Sequence, residues 1–132
     1  MYKQPIIALI DDDEVFQFTS TRMIKLQKIS DEVQLFNNGE EAIKYLKQNA
    51  HNPDKLPDII LLDINMPITD GWMFLDAYDD LELSKEITIY MLSSSIARED
   101  LDRAKANPHI KDYLVKPLMP ETLSELFGQN AI

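Results

Sequence analysis

The stretch IIALIDDDEV, residues Ile6 to Val15, decides how the rest of the chain is read. Five consecutive apolar residues follow Pro5 and run straight into three aspartates and a glutamate. The run is too short for a helix and lacks polar alternation, which reads as a strand buried on both faces. The carboxylates crowded at its end repel one another and resist ionising together. A cation is therefore expected among them, unless they splay into water.

Working outward, four more short apolar runs recur. Val33–Phe36 ends at the turn signal Asn37-Asn38-Gly39, and Ile59–Leu62 follows Pro57-Asp58 and stops at Asp63. Ile87–Leu92 ends in three serines, and Tyr113–Val115 precedes Lys116-Pro117. These read as strands. Between and after them lie stretches with helical spacing of apolar residues: Glu14–Lys28, Glu40–Asn49, Gly71–Leu81, Arg98–Ala106 and Glu121–Phe127. Ile43 and Leu46 share one side of the second, Leu101 and Ala104 of the fourth, and Leu123, Leu126 and Phe127 of the fifth. Five β-then-α units predict a parallel sheet covered by helices on both faces, a three-layer α/β sandwich. Gln48–Pro57, rich in turn formers, is the one long irregular connection.

The 132 residues suit one domain, read as 1–132 with its core over 6–127, and 45% apolar content suits a globular fold. A formal charge of −10 makes the surface acidic and repels phosphate backbones, so no nucleic-acid partner is expected. The chain has no cysteine, which excludes disulfides and thiolate metal sites. The first apolar run is too short for a signal peptide and no segment approaches a membrane span, so a soluble, cytoplasmic protein with no membrane partner is expected.

In open parallel sheets, ligands bind beyond the carboxyl ends of the strands. There the first strand is followed by Asp11, Asp12 and Asp13, the third by Asp63, the fourth by Ser93 and the fifth by Lys116. Taken singly each has a plain structural reading: an aspartate after a strand forms a turn or caps a helix, the serines Ser93 to Ser95 cap the helix at Arg98, and Lys116 is a surface charge. Asp13, just before Glu14–Lys28, reads best as a helix cap. Taken together, three carboxylates, a hydroxyl and an ammonium at one sheet edge form a site. Oxygen ligands without His or Cys nearby select a hard cation, Mg²⁺ above others. His51 and His109 fall in loop positions with no cluster around them and read as surface residues. Trp72 reads as a packing aromatic.

These residues resemble the receiver domain of two-component response regulators, and the resemblance runs from Ile6 to Phe127. It is carried by "ALIDDDE", "PDIILLDINMPITDGW", "IYMLSSS" and "YLVKPL", in order and suitably spaced. It implies a flavodoxin-like fold with strand order 2-1-3-4-5, the order the general rules for such sheets already associate with a receiver of this family. It also implies that Asp63 accepts a phosphoryl group and that Asp11, Asp12, Asp63 and the backbone carbonyl of Asn65 hold Mg²⁺. Lys116 would bind a phosphoryl oxygen, Ser93 would be the switch hydroxyl and Tyr113 the switch aromatic, with a cis Lys116-Pro117 peptide. The implied partners are a sensor histidine kinase or histidine phosphotransfer protein and a downstream protein target docking on the face of the fourth helix, fifth strand and fifth helix. The implied state is a monomer or a phosphorylation-dependent dimer, with no enzymatic activity beyond its own phosphorylation and dephosphorylation.

Departures from the family pattern lie around these groups. Ser93 stands where Thr is also frequent, Ser94 where Ala is common, and "ANPHIKDY" replaces an Ala-Gly-Ala turn. With sixteen residues after Lys116, the chain is expected to be a stand-alone, chemotaxis-type receiver; a receiver excised from a larger hybrid kinase is the competing reading. Two further classes stay open. One is a haloacid-dehalogenase-type phosphatase, which normally carries a second aspartate where Asn65 stands here. The other is a pseudo-receiver that binds partners without being phosphorylated.

Overall fold

The structure, a computed structural model, describes residues 4–66, 70–94 and 97–127. The strands are β1 (Ile7–Ile10), β2 (Val33–Phe36), β3 (Ile59–Asp63), β4 (Thr88–Ser93) and β5 (Ile110–Val115). Each is followed by a helix: α1 (Glu14–Leu26), α2 (Gly39–Gln48), α3 (Gly71–Asp79), α4 (Arg98–Ala106) and α5 (Pro120–Phe127). The strands form one parallel sheet in the order β2-β1-β3-β4-β5, as the resemblance implies.

Alternate residues along each strand feed two separate cores, because successive side chains of a strand point to opposite faces. Ala8, Ile10, Ile60, Leu62, Ile89 and Met91 pack with Ala42 and Leu46 of α2, Phe74 and Leu75 of α3 and Ala104 of α4. Ile7, Leu9, Leu61, Tyr90 and Leu92 pack on the other face with Ile24 of α1 and Leu123 of α5. The unalternated sequence of β1 is thus explained: both of its faces are covered, and all four residues are buried. Full burial of each such side chain contributes about 1.5–3 kcal/mol.

Several helix ends follow from local chemistry. The Asp13 carboxylate accepts from the N–H groups of Val15 and Phe16 at 3.0 and 3.1 Å, the cap expected of it. Asn38 and Asp70 cap α2 and α3 in the same way, through Glu41 N and Met73 N. The N-cap of α4 is Ala97, which makes no side-chain cap bond, and Ser93 closes β4 instead; the expectation that it caps this helix is corrected. Ser95 lies outside the described residues. Helix α1 stops at Leu26, two residues short of the predicted end. Lys28 adopts a left-handed φ of 58°. Its N–H reaches Lys25 O, and Ile29 N–H reaches Ile24 O at 3.1 Å, a Schellman closure sealed by the buried Ile24 and Ile29.

Strand β5 starts three residues earlier than its apolar run. Lys111 and Asp112 are exposed there, because β5 is an edge strand and tolerates polar residues. The 48–57 connection is anchored by the fully buried Leu56 and by Lys55 O, which accepts from Tyr45 Oη at 2.7 Å. Trp72 is buried as expected, with the Arg103 guanidinium 4.3 Å from its ring centroid. His51 is exposed, but His109 is not an isolated surface residue. Its Nε2 lies 2.7 Å from Asp79 Oδ1 and its ring meets the Tyr78 ring edge-on. Among the described residues, no helix is long and apolar enough to cross a membrane.

Candidate functional site

The strand register assembles the site. Ile10 pairs with Leu62, so Asp11 emerges beside Asp63; Asp63 pairs with Leu92, and Ser93 with Val115, so Ser93 and Lys116 complete the same edge. Parallel strands end together, which is why residues more than a hundred positions apart share one crevice.

Asp11, Asp63 and Ser93 are buried, at 0%, 3% and 0% exposure, whereas Asp12 is exposed. Carboxylate oxygens of Asp11, Asp12 and Asp63 lie within 4.8 Å of one another, a separation that a single ion can bridge. Lys116 Nζ lies 2.6 Å from Asp11 Oδ2 and 3.6 Å from Asp63 Oδ1. The ammonium also stands over the Phe16 ring, 4.4 Å from its centroid. Asp63 Oδ1 also accepts a long hydrogen bond from Asn65 N–H at 3.3 Å.

These neighbours set the acidity of Asp63. Burial first, and then the Asp11 carboxylate, hold its carboxyl at about 6 against an ordinary 3.8. Lys116 and the Asn65 N–H work the other way, and Asp12 contributes a smaller increase. Two carboxylates facing one ammonium leave net negative charge in a dry pocket. The oxygen-only donor set, the spacing and this uncompensated charge together fit a hard divalent cation. Asp11 Oδ2 fits as well: it is buried, and the ammonium beside it makes a close ion pair without hydrogen-bond alignment.

Main-chain contacts hold the pieces in place. Lys116 N–H donates to Ser93 O at 2.8 Å, tying the ends of β4 and β5. Ile64 N–H donates to Leu92 O at 3.0 Å, and Gly71 N–H to Ile64 O at 2.9 Å. Gly71 must be glycine for this approach. A Cβ there would stand 2.8 Å from Asp63 O and 2.9 Å from Ile64 Cα, both backbone atoms that cannot swing aside. The peptide between Lys116 and Pro117 is cis. Tyr113 is half-buried on β5 and packs at the margin of the α2/α3/α4 core. Asn65 is exposed, two residues after the end of β3.

Six of the seven residues singled out in the sequence (Asp11, Asp12, Asp63, Asn65, Ser93 and Lys116) therefore belong to the strand ends or to the loops leaving them, whereas Tyr113 lies within β5, against the core. Two neighbours had not been singled out. Phe16 lies against the ammonium, and Gln17 is a buried polar residue. Gln17 Nε2 donates to Asp11 O at 2.8 Å and to Phe36 O at 3.0 Å. The available signal was its phase: Gln17, Ser20 and Ile24 form the buried stripe of α1, and a polar residue in such a stripe needs partners.

Comparison with known proteins gives a consistent picture. A family model described as the response regulator receiver domain matches residues 7–127. The chain is 30% identical over 118 residues to a probable methanogenesis regulatory protein, FilR2, of Methanothrix harundinacea (strain 6Ac), a match covering 89% of this chain and 76% of that protein. It is 32% identical over 93 residues to the sensor histidine kinase CheAY of Helicobacter pylori (strain ATCC 700392 / 26695), covering 70% of this chain and 11% of the kinase. A crystal structure of a two-component response regulator from Cytophaga hutchinsonii matches with a TM-score of 0.85 and 30% identity, covering 96% of each chain.

Proposed function

The chain belongs to the response regulator receiver domains of two-component systems, and from that premise we propose that it accepts a phosphoryl group on Asp63 in the presence of Mg²⁺ and thereby switches a protein partner. The observation that carries the reading is the convergence of Asp11, Asp12, Asp63 and Lys116 at one sheet edge. The donor would be a phosphohistidine of a sensor kinase or phosphotransfer protein. An Asp63 carboxylate oxygen attacks phosphorus, the P–N bond breaks, and the imidazole leaves with its electron pair.

Asp11, Asp12, Asp63 and the Asn65 carbonyl would hold the ion. When bound, Mg²⁺ supplies positive charge against the phosphoryl oxygens. The remaining work falls to this chain's own side chains. Asp63, at about 6, is mostly ionised at neutral pH and so retains its nucleophilic form. Lys116 is close enough to both acidic residues to turn toward an incoming phosphoryl oxygen as a mobile point charge. The carbonyl of Ser93 itself accepts Lys116 N–H at 2.8 Å, which ties the residue of the switch hydroxyl to Lys116. The switch then runs through Ser93 and Tyr113 to the α4–β5–α5 face, the docking surface for the downstream partner. Asn65 replaces the second carboxylate that a dehalogenase-type phosphatase would use as acid and base, which favours a site that keeps its phosphoryl group over one that turns substrate over.

Incubation with acetyl phosphate and Mg²⁺ is expected to add a single phosphoryl mass to the full chain. Asp63→Asn, or excess chelator, is expected to abolish the addition while the protein stays folded. Intact-mass spectra in which the Asp63→Asn variant is still modified would defeat the assignment of Asp63, and unchanged labelling in chelator would defeat the metal's role.

A further inference from the structure

Asp11 is gripped at each polar group. Its N–H donates to Phe36 O at 3.0 Å, its Oδ1 accepts from Asp13 N–H at 2.9 Å, and its Oδ2 faces the Lys116 ammonium. The remaining group, its carbonyl, accepts from Gln17 Nε2 at 2.8 Å. The second hydrogen of the same amide goes to Phe36 O at 3.0 Å. Gln17 is 6% exposed and sits in the first turns of α1, the helix that Asp13 caps. One side chain thus ties three elements together at the point where the carboxylates emerge: the end of β1, the end of β2 and the start of α1. A buried amide with both donors used on main-chain carbonyls has little freedom, and neither do the carbonyls it holds.

From this geometry we propose that Gln17 is the positioning residue of the acidic site, fixing the backbone from which Asp11 and Asp12 project so that their carboxylates are preset for a divalent cation. The proposal rests on the magnesium reading above. Gln17 touches neither ion nor phosphoryl group; it acts through the Asp11 carbonyl. Cation sites lose affinity when the groups that orient their ligands are removed, typically by a factor of about 10 to 100. Gln17→Met keeps the length and volume of the side chain but removes both donors. It leaves the acidic residues and Lys116 in place, so the charge of the site is unchanged.

The test titrates MgCl₂ into the full chain and into Gln17→Met by calorimetry, with Trp72, the one tryptophan of the chain, as a second signal through its fluorescence. The expected result is Mg²⁺ binding by the wild type and about tenfold weaker binding by Gln17→Met, under conditions where both are folded in chelator. Amide exchange in chelator is expected to quicken about tenfold at Asp11, whose N–H is bonded to Phe36 O, while Leu9 in the middle of β1 is unchanged. Equal Mg²⁺ affinity in the two proteins, with Gln17→Met merely less stable, would overturn the proposal while leaving the magnesium reading intact. Absence of Mg²⁺ binding by the wild type would overturn both. Should Gln17→Met fail to fold, Gln17→Asn, which keeps the amide but shortens its reach by one methylene, is read by the same criteria.

Discussion

Replacing Asp63 by Asn should make the metal-free protein more stable, although it removes the central reacting group. The Asp63 carboxyl is raised from 3.8 to about 6 by burial and by the Asp11 carboxylate. A carboxyl held above its unfolded value binds its proton more tightly in the folded state, so ionising it works against folding. At 1.36 kcal/mol per pH unit the rise corresponds to a penalty of about 3 kcal/mol. Asn carries no charge but must satisfy its own amide; the attraction of Lys116 for the Asp63 carboxylate is already counted in the net rise, and Lys116 keeps Asp11 at 2.6 Å. The cost of an imperfectly paired buried amide brings the expected gain to about 1–2 kcal/mol. The penalty is present in full above about pH 6 and fades as the pH falls toward 3.8, where the unfolded chain is protonated too. Urea unfolding in chelator at pH 7.5 should therefore place the Asp63→Asn midpoint higher by roughly 1 M, given a slope of about 1–3 kcal/mol per molar urea. Near pH 4 the variant's advantage should be gone. Added Mg²⁺ should stabilise the wild type more than the variant, since a ligand stabilises the state that binds it. The reasoning is refuted if the variant is no more stable than wild type at pH 7.5, or if its advantage is the same at both pH values.

Two further outcomes test the packing around the site. Gly71→Ala should cost about 1–3 kcal/mol and slow labelling by acetyl phosphate, because its Cβ meets Asp63 O and Ile64 Cα below 3.0 Å; chemical denaturation with a labelling time course would measure both. Asp13→Ala should cost about 1 kcal/mol through loss of the α1 cap, measured by thermal unfolding, while single-site labelling on Asp63 persists.

Much of this architecture is legible along the chain because β1, β3 and β4 are buried on both faces and so are written as plain apolar runs. Edge strands are harder. In β5 only Tyr113–Val115 stood out, since Ile110–Asp112 carries exposed Lys111 and Asp112 at the sheet's margin. Helix ends were legible where a side chain makes the cap, as at Asp13. They were misread where the backbone does so: Lys28 closes α1 with a left-handed turn that its residue type does not announce. Ser93, one of the serines read as a cap, is claimed by the strand, and α4 begins at Arg98 after the N-cap Ala97. His109 was misread because its partners, Asp79 and Tyr78, lie on α3, thirty residues away in the chain.

By itself, then, the amino-acid order determined the alternation of strands and helices, the chemistry at each strand end and, through resemblance, the family. Tertiary structure alone decided how those ends combine. The order β2-β1-β3-β4-β5 and its register place Asp11 beside Asp63 and bring Lys116 within reach of both. The weakened acidity of Asp63 and the two hydrogen bonds of Gln17 to the ends of β1 and β2 belong to the same level. The physical reason is common to all of them. Strand and helix formation respond to neighbours a few residues away, whereas desolvation, charge proximity and a buried hydrogen bond depend on distances in space that only the packed sheet defines.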